Sequence, residues 1–181
     1  MSEELEVLKE VTRRLDRAKI AYMVTDSVAT NFYTVPRMTR DIDIVVDRAE
    51  KDLGRFIPLF EADFYLEPET VHAATKNKGV FNLIQNEHVV KIDFIVRKDS
   101  PYRRSEFARR KRVVVDDRNL YLVAPEDLIL SKLEWAKDSR SEMQLSDVRH
   151  LLKSVKAPQP ALPGSLGEGI GRRSLYREVS K

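Results

Sequence analysis

The stretch that decides the fold is Asp41-Ile42-Asp43-Ile44-Val45-Val46-Asp47. On an extended strand successive side chains point to opposite faces, so Ile42, Ile44 and Val46 go to a core while Asp41 and Asp43 project together, about 7 Å apart at roughly 3.3 Å per residue. A second acid sits inside an otherwise apolar strand in Lys91-Ile92-Asp93-Phe94-Ile95-Val96, where an unpaired charge is costly. If the two strands are neighbours, three carboxylates with no basic residue on their face form an oxygen-donor pocket for a hard cation, Mg²⁺ or Mn²⁺. Taken alone, an Asp-x-Asp strand equally fits a solvated sheet edge, so its surroundings have to decide.

Upstream, Glu3–Lys19 carries Leu5, Leu8, Val11, Thr12 and Leu15 at helical spacing, and Ile20–Thr25 follows as a short apolar strand. Asp26 and Ser27, both good N-cap types, open a helix to about Tyr33 that stops before Pro36. Downstream, Ala49–Glu61 reads as a helix kinked or stopped early by Pro58, and Pro68–Lys78 as another, with Gly79 just past its end. Val80–Gln85 and Val89–Val96 flank Asn86-Glu87-His88 as a hairpin, and Arg112–Asp116 with Leu120–Val123 forms a second. Pro125 opens a helical stretch apolar at helical spacing to Lys153. Strands with helices packed on them at the C-terminal end make an α+β (α/β) fold, a mixed β-sheet flanked by helices.

Composition bounds the chemistry. The 181 residues include no Cys and three His, which excludes disulfides, thiolate catalysis and Cys-based metal sites. No run approaches the roughly 20 apolar residues of a membrane span and the N-terminus is acidic, so a cytoplasmic protein without membrane contact is expected. The net charge of +3 is not spread over the chain. Residues 1–155 carry 27 basic and 27 acidic side chains, whereas 156–181 carry five and two, together with three of the eight Pro and four of the six Gly. We therefore expect one domain over 1–155 and a loosely ordered basic tail over 156–181. The run 97–112, RKDSPYRRSEFARRKR, suits either a solvated helix face or a phosphate backbone.

With these pieces in order, the chain resembles the nucleotidyltransferase superfamily, the fold shared with DNA polymerase β. That pattern is a Gly-Gly or Gly-Ser turn at a helix start, a spacer, Asp-x-Asp on the next strand and a third Asp on a later strand. Here the turn is Asp26-Ser27, the spacer 28–40, the pair Asp41 and Asp43, and the third acid Asp93. Ser27–Val46, with Lys132 and Asp147 downstream, is similar to a bacterial group that includes the AbiEii-type transferase toxins. The resemblance implies transfer of a nucleoside monophosphate from NTP to a hydroxyl on RNA, protein or a small molecule. In it Asp41, Asp43 and Asp93 hold Mg²⁺ or Mn²⁺, and Asp93 also takes the acceptor's proton. Ser27 and the helix N-terminus grip the terminal phosphates. Arg40 and Lys132 neutralise phosphate, and Asp147 orients Lys132.

Asp26 stands where the pattern has Gly. Glycine reaches positive φ at no cost and lets backbone approach phosphate, whereas Asp adds bulk and a negative charge. Two like charges about 5 Å apart at an effective dielectric near 20 repel by roughly 3 kcal/mol. Two functions follow: an active transferase in which a cap or a cation absorbs that charge, and a degenerate transferase fold that serves as a nucleotide-, RNA- or protein-binding module.

Overall fold

A computed structural model describes residues 3–39, 41–47, 52–116, 118–139 and 141–154. Arg40, 48–51 and the proposed tail 156–181 lie outside the described residues. In chain order the elements are α1 (Glu3–Arg17), β1 (Ala21–Thr25), α2 (Asp26–Tyr33), β2 (Asp41–Asp47), α3 (Leu53–Phe60), β3 (Phe64–Tyr65), α4 (Pro68–Asn77), β4 (Val80–Gln85), β5 (Lys91–Val96), α5 (Pro101–Ala108), β6 (Lys111–Val115), β7 (Arg118–Leu122), α6 (Pro125–Ser139) and α7 (Glu142–Ser154).

The strands make one mixed sheet in the order β3-β4-β5-β2-β1-β7-β6. Its centre is the pair β2 and β5, which run parallel, with β1 antiparallel on the other side of β2. Both expected hairpins form, as β4–β5 and β6–β7. Alternation along β2 sorts its side chains as the sequence indicates: Ile42, Ile44 and Val46 are fully buried with Ile92, Phe94 and Val96 in a core that also takes Leu8, Val11 and Leu15 of α1 and Phe56 and Phe60 of α3. Val45 points the other way, against a second core built by Ala29 of α2, Leu128, Ile129 and Leu133 of α6, and Val148 and Leu151 of α7. Asp41, Asp43, Lys91 and Asp93 are therefore on the side of the sheet that α2, α6 and α7 cover.

Two local differences from the sequence reading stand out, in α3 and α4. Helix α3 continues through Pro58 to Phe60; Phe56 and Phe60 pack with Phe64, Phe81 and Phe94 at centroid distances of 5.0–5.9 Å, and that burial outweighs the one backbone bond a proline removes. Helix α4 ends with Lys78, not Gly79, in the left-handed conformation (φ 52). In the basic run, the helix that one of its two readings called for is α5, started by the Ser100 hydroxyl accepting from the Arg103 N–H, with Pro101 in its first turn. Among the described residues, three of that run's eight basic residues are ion-paired within the fold: Arg97 with Asp47, Arg103 with the buried Glu106, and Arg109 with the buried Asp127. Among the described residues no helix is long and apolar enough to cross a membrane.

Candidate active site

The parallel register of β2 and β5 sets Asp43 directly opposite Asp93 and Asp41 opposite Lys91. On the outer flanks Thr25 of β1 faces Asp43 and Asn82 of β4 faces Asp93. A polar row, Thr25-Asp43-Asp93-Asn82, thus crosses four strands, with neighbouring strands roughly 4.8 Å apart. The adjacency on which the hard-cation reading depends is present. Burial pushes the Asp43 carboxyl up to about 7, and the neighbouring charges of Asp26, Asp93 and Asp41 add to it, against an opposing contribution from Lys91. A carboxylate so burdened is the electrostatic signature of a place short of positive charge, and an all-carboxylate donor set is the chemistry hard divalent cations take.

One expectation needs correcting. The face was expected to carry no basic residue, but Lys91 is on it, two residues before Asp93 on the same strand, and its Nζ donates to Asp93 Oδ2 at 2.7 Å. The alternation that puts Asp93 there puts Lys91 there as well. With Asp93 engaged in that pair, among the described residues no three metal-ligating side chains converge into a preformed ion cage.

The turn preceding α2 is the second part of the site. Asp26 has φ 48, so it adopts the left-handed conformation that glycine would take most easily. It does not cap the helix. Thr25 occupies the cap position, extended and without a side-chain cap bond, and the Asp26 carboxylate is instead 2.6 Å from Lys132 Nζ. Lys132, on α6, is 1% exposed, and its other two protons go to Asp147 Oδ2 at 2.9 Å and Gln144 Oε1 at 3.0 Å, both on α7. The ammonium is a knot tying the turn to two helices.

The network continues to Ser27. Arg37, in the loop after α2, donates to Asp147 through Nε at 3.1 Å and Nη2 at 2.9 Å, and Nη2 also reaches Ser27 Oγ at 2.9 Å. Asn31 fixes that loop, accepting from the Arg37 backbone N–H at 3.0 Å and donating to its carbonyl at 2.7 Å. Burial opposes ionisation of Asp147, yet the hydrogen bonds from Arg37 and Lys132 prevail and hold its carboxyl below the usual range. Asp26 and Asp147 against Lys132 and Arg37 leave this half without net charge.

Of the residues singled out in the sequence, the structure brings Asp41, Asp43 and Asp93 onto one face and joins Asp26, Ser27, Lys132 and Asp147 in one network beside it; Arg40 is outside the described residues. Lys91, Arg37, Gln144 and Asn31 were missed. Lys91 was readable from strand alternation. The others depend on how a loop and two helices close on each other.

No protein-family model matches the sequence, and no curated protein does. In three dimensions the chain is similar to an antigenic nucleotidyltransferase-like protein from Paracoccidioides brasiliensis, with a TM-score of 0.69 and 17% identity over 98% of this chain and 88% of that one. It is also similar to the lincosamide antibiotic adenylyltransferase LnuA in its lincomycin-bound form, at TM-score 0.58 and 14% identity over 86% of this chain and 98% of that one. A third likeness is to ANT(2")-Ia in complex with adenylyl-2"-tobramycin, at TM-score 0.59 and 12% identity over 98% and 99%. At such identities what is shared is architecture: this chain has the nucleotidyltransferase fold.

Proposed function

We propose that this chain is a divalent-cation-dependent nucleotidyltransferase that moves a nucleoside monophosphate from NTP to a hydroxyl acceptor. The observation that carries the reading is the register pairing of Asp43 with Asp93 on a face where burial and like charges push Asp43 up to about 7. Two of the similar folds are named for adenylyl chemistry, an adenylyltransferase and a complex with adenylylated tobramycin, and that agrees with the reading.

In the reaction the acceptor oxygen forms a bond to the α-phosphorus, the bond to the β-phosphate's bridging oxygen breaks, and pyrophosphate leaves with its electron pair. Mg²⁺ or Mn²⁺ held by Asp41, Asp43 and Asp93 would neutralise the triphosphate and acidify the acceptor hydroxyl. In this reading Asp93 takes that proton. Ser27 and the N-terminus of α2 receive the terminal phosphates, where unpaired backbone N–H groups favour anions, and Arg40, the residue preceding Asp41 in the sequence, is the further candidate for neutralising phosphate. Lys132 has all three protons engaged, so it acts on phosphate by shaping the turn and cancelling the Asp26 charge. Residues 1–155 form the transferase domain, 156–181 a basic extension, and the protein works in the cytoplasm on an RNA, protein or small-molecule acceptor, in the manner of the AbiEii-type group.

The test is turnover of labelled NTP with Mg²⁺ or Mn²⁺ across a panel of acceptors, beside Asp43→Ala; pyrophosphate release that survives the substitution rejects the reading. A second reading, a degenerate fold that only binds nucleotide, RNA or protein, is favoured by Asp26 occupying Lys132. Calorimetric titration separates them: Mg²⁺–NTP binding by the natural sequence supports the transferase, and binding restored only by Asp26→Gly supports degeneracy.

A further inference from the structure

Around the acidic face, Lys91 is the residue that the transferase reading leaves without a task. Its Cα is opposite Asp41, it precedes Asp93 by two positions on β5, and its ammonium is 2.7 Å from Asp93 Oδ2. Residues two apart on a strand face the same way at roughly 7 Å, so a four-carbon stem lies along the face and delivers its charge among the carboxylates. The side chain is 40% exposed. A pair so open to water is weakly held, and lysine, a compact charge on a flexible stem, gives up one geometry for another more easily than a forked guanidinium.

We propose that Lys91 is the built-in counter-ion of the acidic face and sets its affinity for divalent cations, holding the Asp93 carboxylate when no cation is bound and having to release it when one arrives. This rests on the reading of Asp41, Asp43 and Asp93 as metal ligands. Three negative charges facing one another would otherwise repel at close range. Lys91 relieves that repulsion, and by the same contact it competes for an oxygen that a divalent ion needs. The face thereby fills at a higher cation concentration than it would without Lys91.

The experiment is calorimetric titration of the full chain with MnCl₂, and separately MgCl₂, for the natural protein, Lys91→Met and Lys91→Arg. Removing the charge is expected to tighten divalent binding between about twofold and tenfold, the range set by a half-exposed ion pair and the added repulsion. Lys91→Arg, which keeps the charge in a firmer grip, is expected to bind as weakly as the natural protein or more weakly. Without metal, Lys91→Met melts lower than the natural protein, and Mn²⁺ restores more stability to it. If Lys91→Met does not fold, Lys91→Gln supplies the neutral arm. Equal affinities across the three proteins overturn the role of Lys91 and leave the metal site standing. No divalent binding by any of them overturns the metal site and this inference with it.

Discussion

The two halves of the site solve the problem of buried charge in opposite ways. Around Lys132 every charge meets its opposite: Asp26, Asp147 and Arg37 close a network without net charge, and Asp147 is held more acidic than an ordinary carboxyl. On the strand face three carboxylates share one lysine, and Asp43 is pushed the other way, to about 7. A matched network is complete as it folds and gives rigidity. An unmatched one is under electrostatic stress until something positive arrives, so on the proposed function the first half positions and the second half binds.

The sharpest way to break this contrast is to remove one charge from each half. Asp43→Asn is expected to cut NTP turnover by at least about a thousandfold, the scale on which transition-state electrostatics operate, and to raise the melting temperature of the metal-free protein. A variant that loses activity together with stability would make Asp43 a structural residue. Lys132→Met should do the reverse for stability. It leaves Asp26 and Asp147 facing each other without their ammonium, and breaking a buried pair costs about 3–5 kcal/mol, or about 10 °C for a chain of this size. Thermal denaturation with circular dichroism reads both.

The halves should also answer pH with opposite signs. Asp43 is raised in the fold, so between about pH 4 and 7 the unfolded chain sheds a proton that the folded chain retains, and metal-free stability falls over that window by about 2–4 kcal/mol before levelling. Asp147 is depressed, so its contribution is present at neutral pH and is lost as the solution is acidified below the ordinary carboxylate range. Urea midpoints measured from pH 3 to 8 in the presence of EDTA, for the natural protein and Asp43→Asn, separate the two: the asparagine variant should lose the decline between 4 and 7 and keep the acid one. Identical profiles would mean that Asp43 is not stressed.

How much of this could be read in advance follows from what each feature depends on. Asp41, Asp43 and Asp93 were legible because strand alternation is local and an acid in an apolar strand is conspicuous. Lys91 is equally legible by that rule, two residues before Asp93 on the same strand. Helix α5 agrees with the helix-face reading of the basic run, begun by Ser100 and Pro101; what the charge pattern concealed is that Phe107 and Glu106 of that helix are buried and that Arg103 and Arg109 are ion-paired. Arg37 was not legible. It meets Asp147 across 110 positions of sequence, a contact that exists only because α7 docks against the loop after α2.

Arg37 offers a smaller probe of the matched half. Partly exposed and bonded to Ser27 and Asp147, it should cost about 1–2 kcal/mol of stability as Arg37→Ala. Freed of that donor, the Ser27 hydroxyl also loses its fixed direction, so KM for NTP should rise more than kcat falls. A pure loss of kcat would place Arg37 at the reacting phosphorus instead.

The smallest expected stability change tests Asp26 itself. An unscreened Asp about 5 Å from a terminal phosphate repels it by roughly 3 kcal/mol, about a hundredfold in affinity. Lys132 sits 2.6 Å from that carboxylate, so phosphate meets a neutral pair, not a lone charge. In Asp26→Gly the lost ion pair is offset by relief of the left-handed backbone at φ 48, about 1 kcal/mol for a residue better suited to it. The melting temperature should therefore move little, while the freed ammonium tightens Mg²⁺–NTP binding by about fivefold to tenfold. A hundredfold gain would show that Lys132 does not screen Asp26. No gain at all would show that the turn, with its Asp, already receives phosphate as well as glycine would.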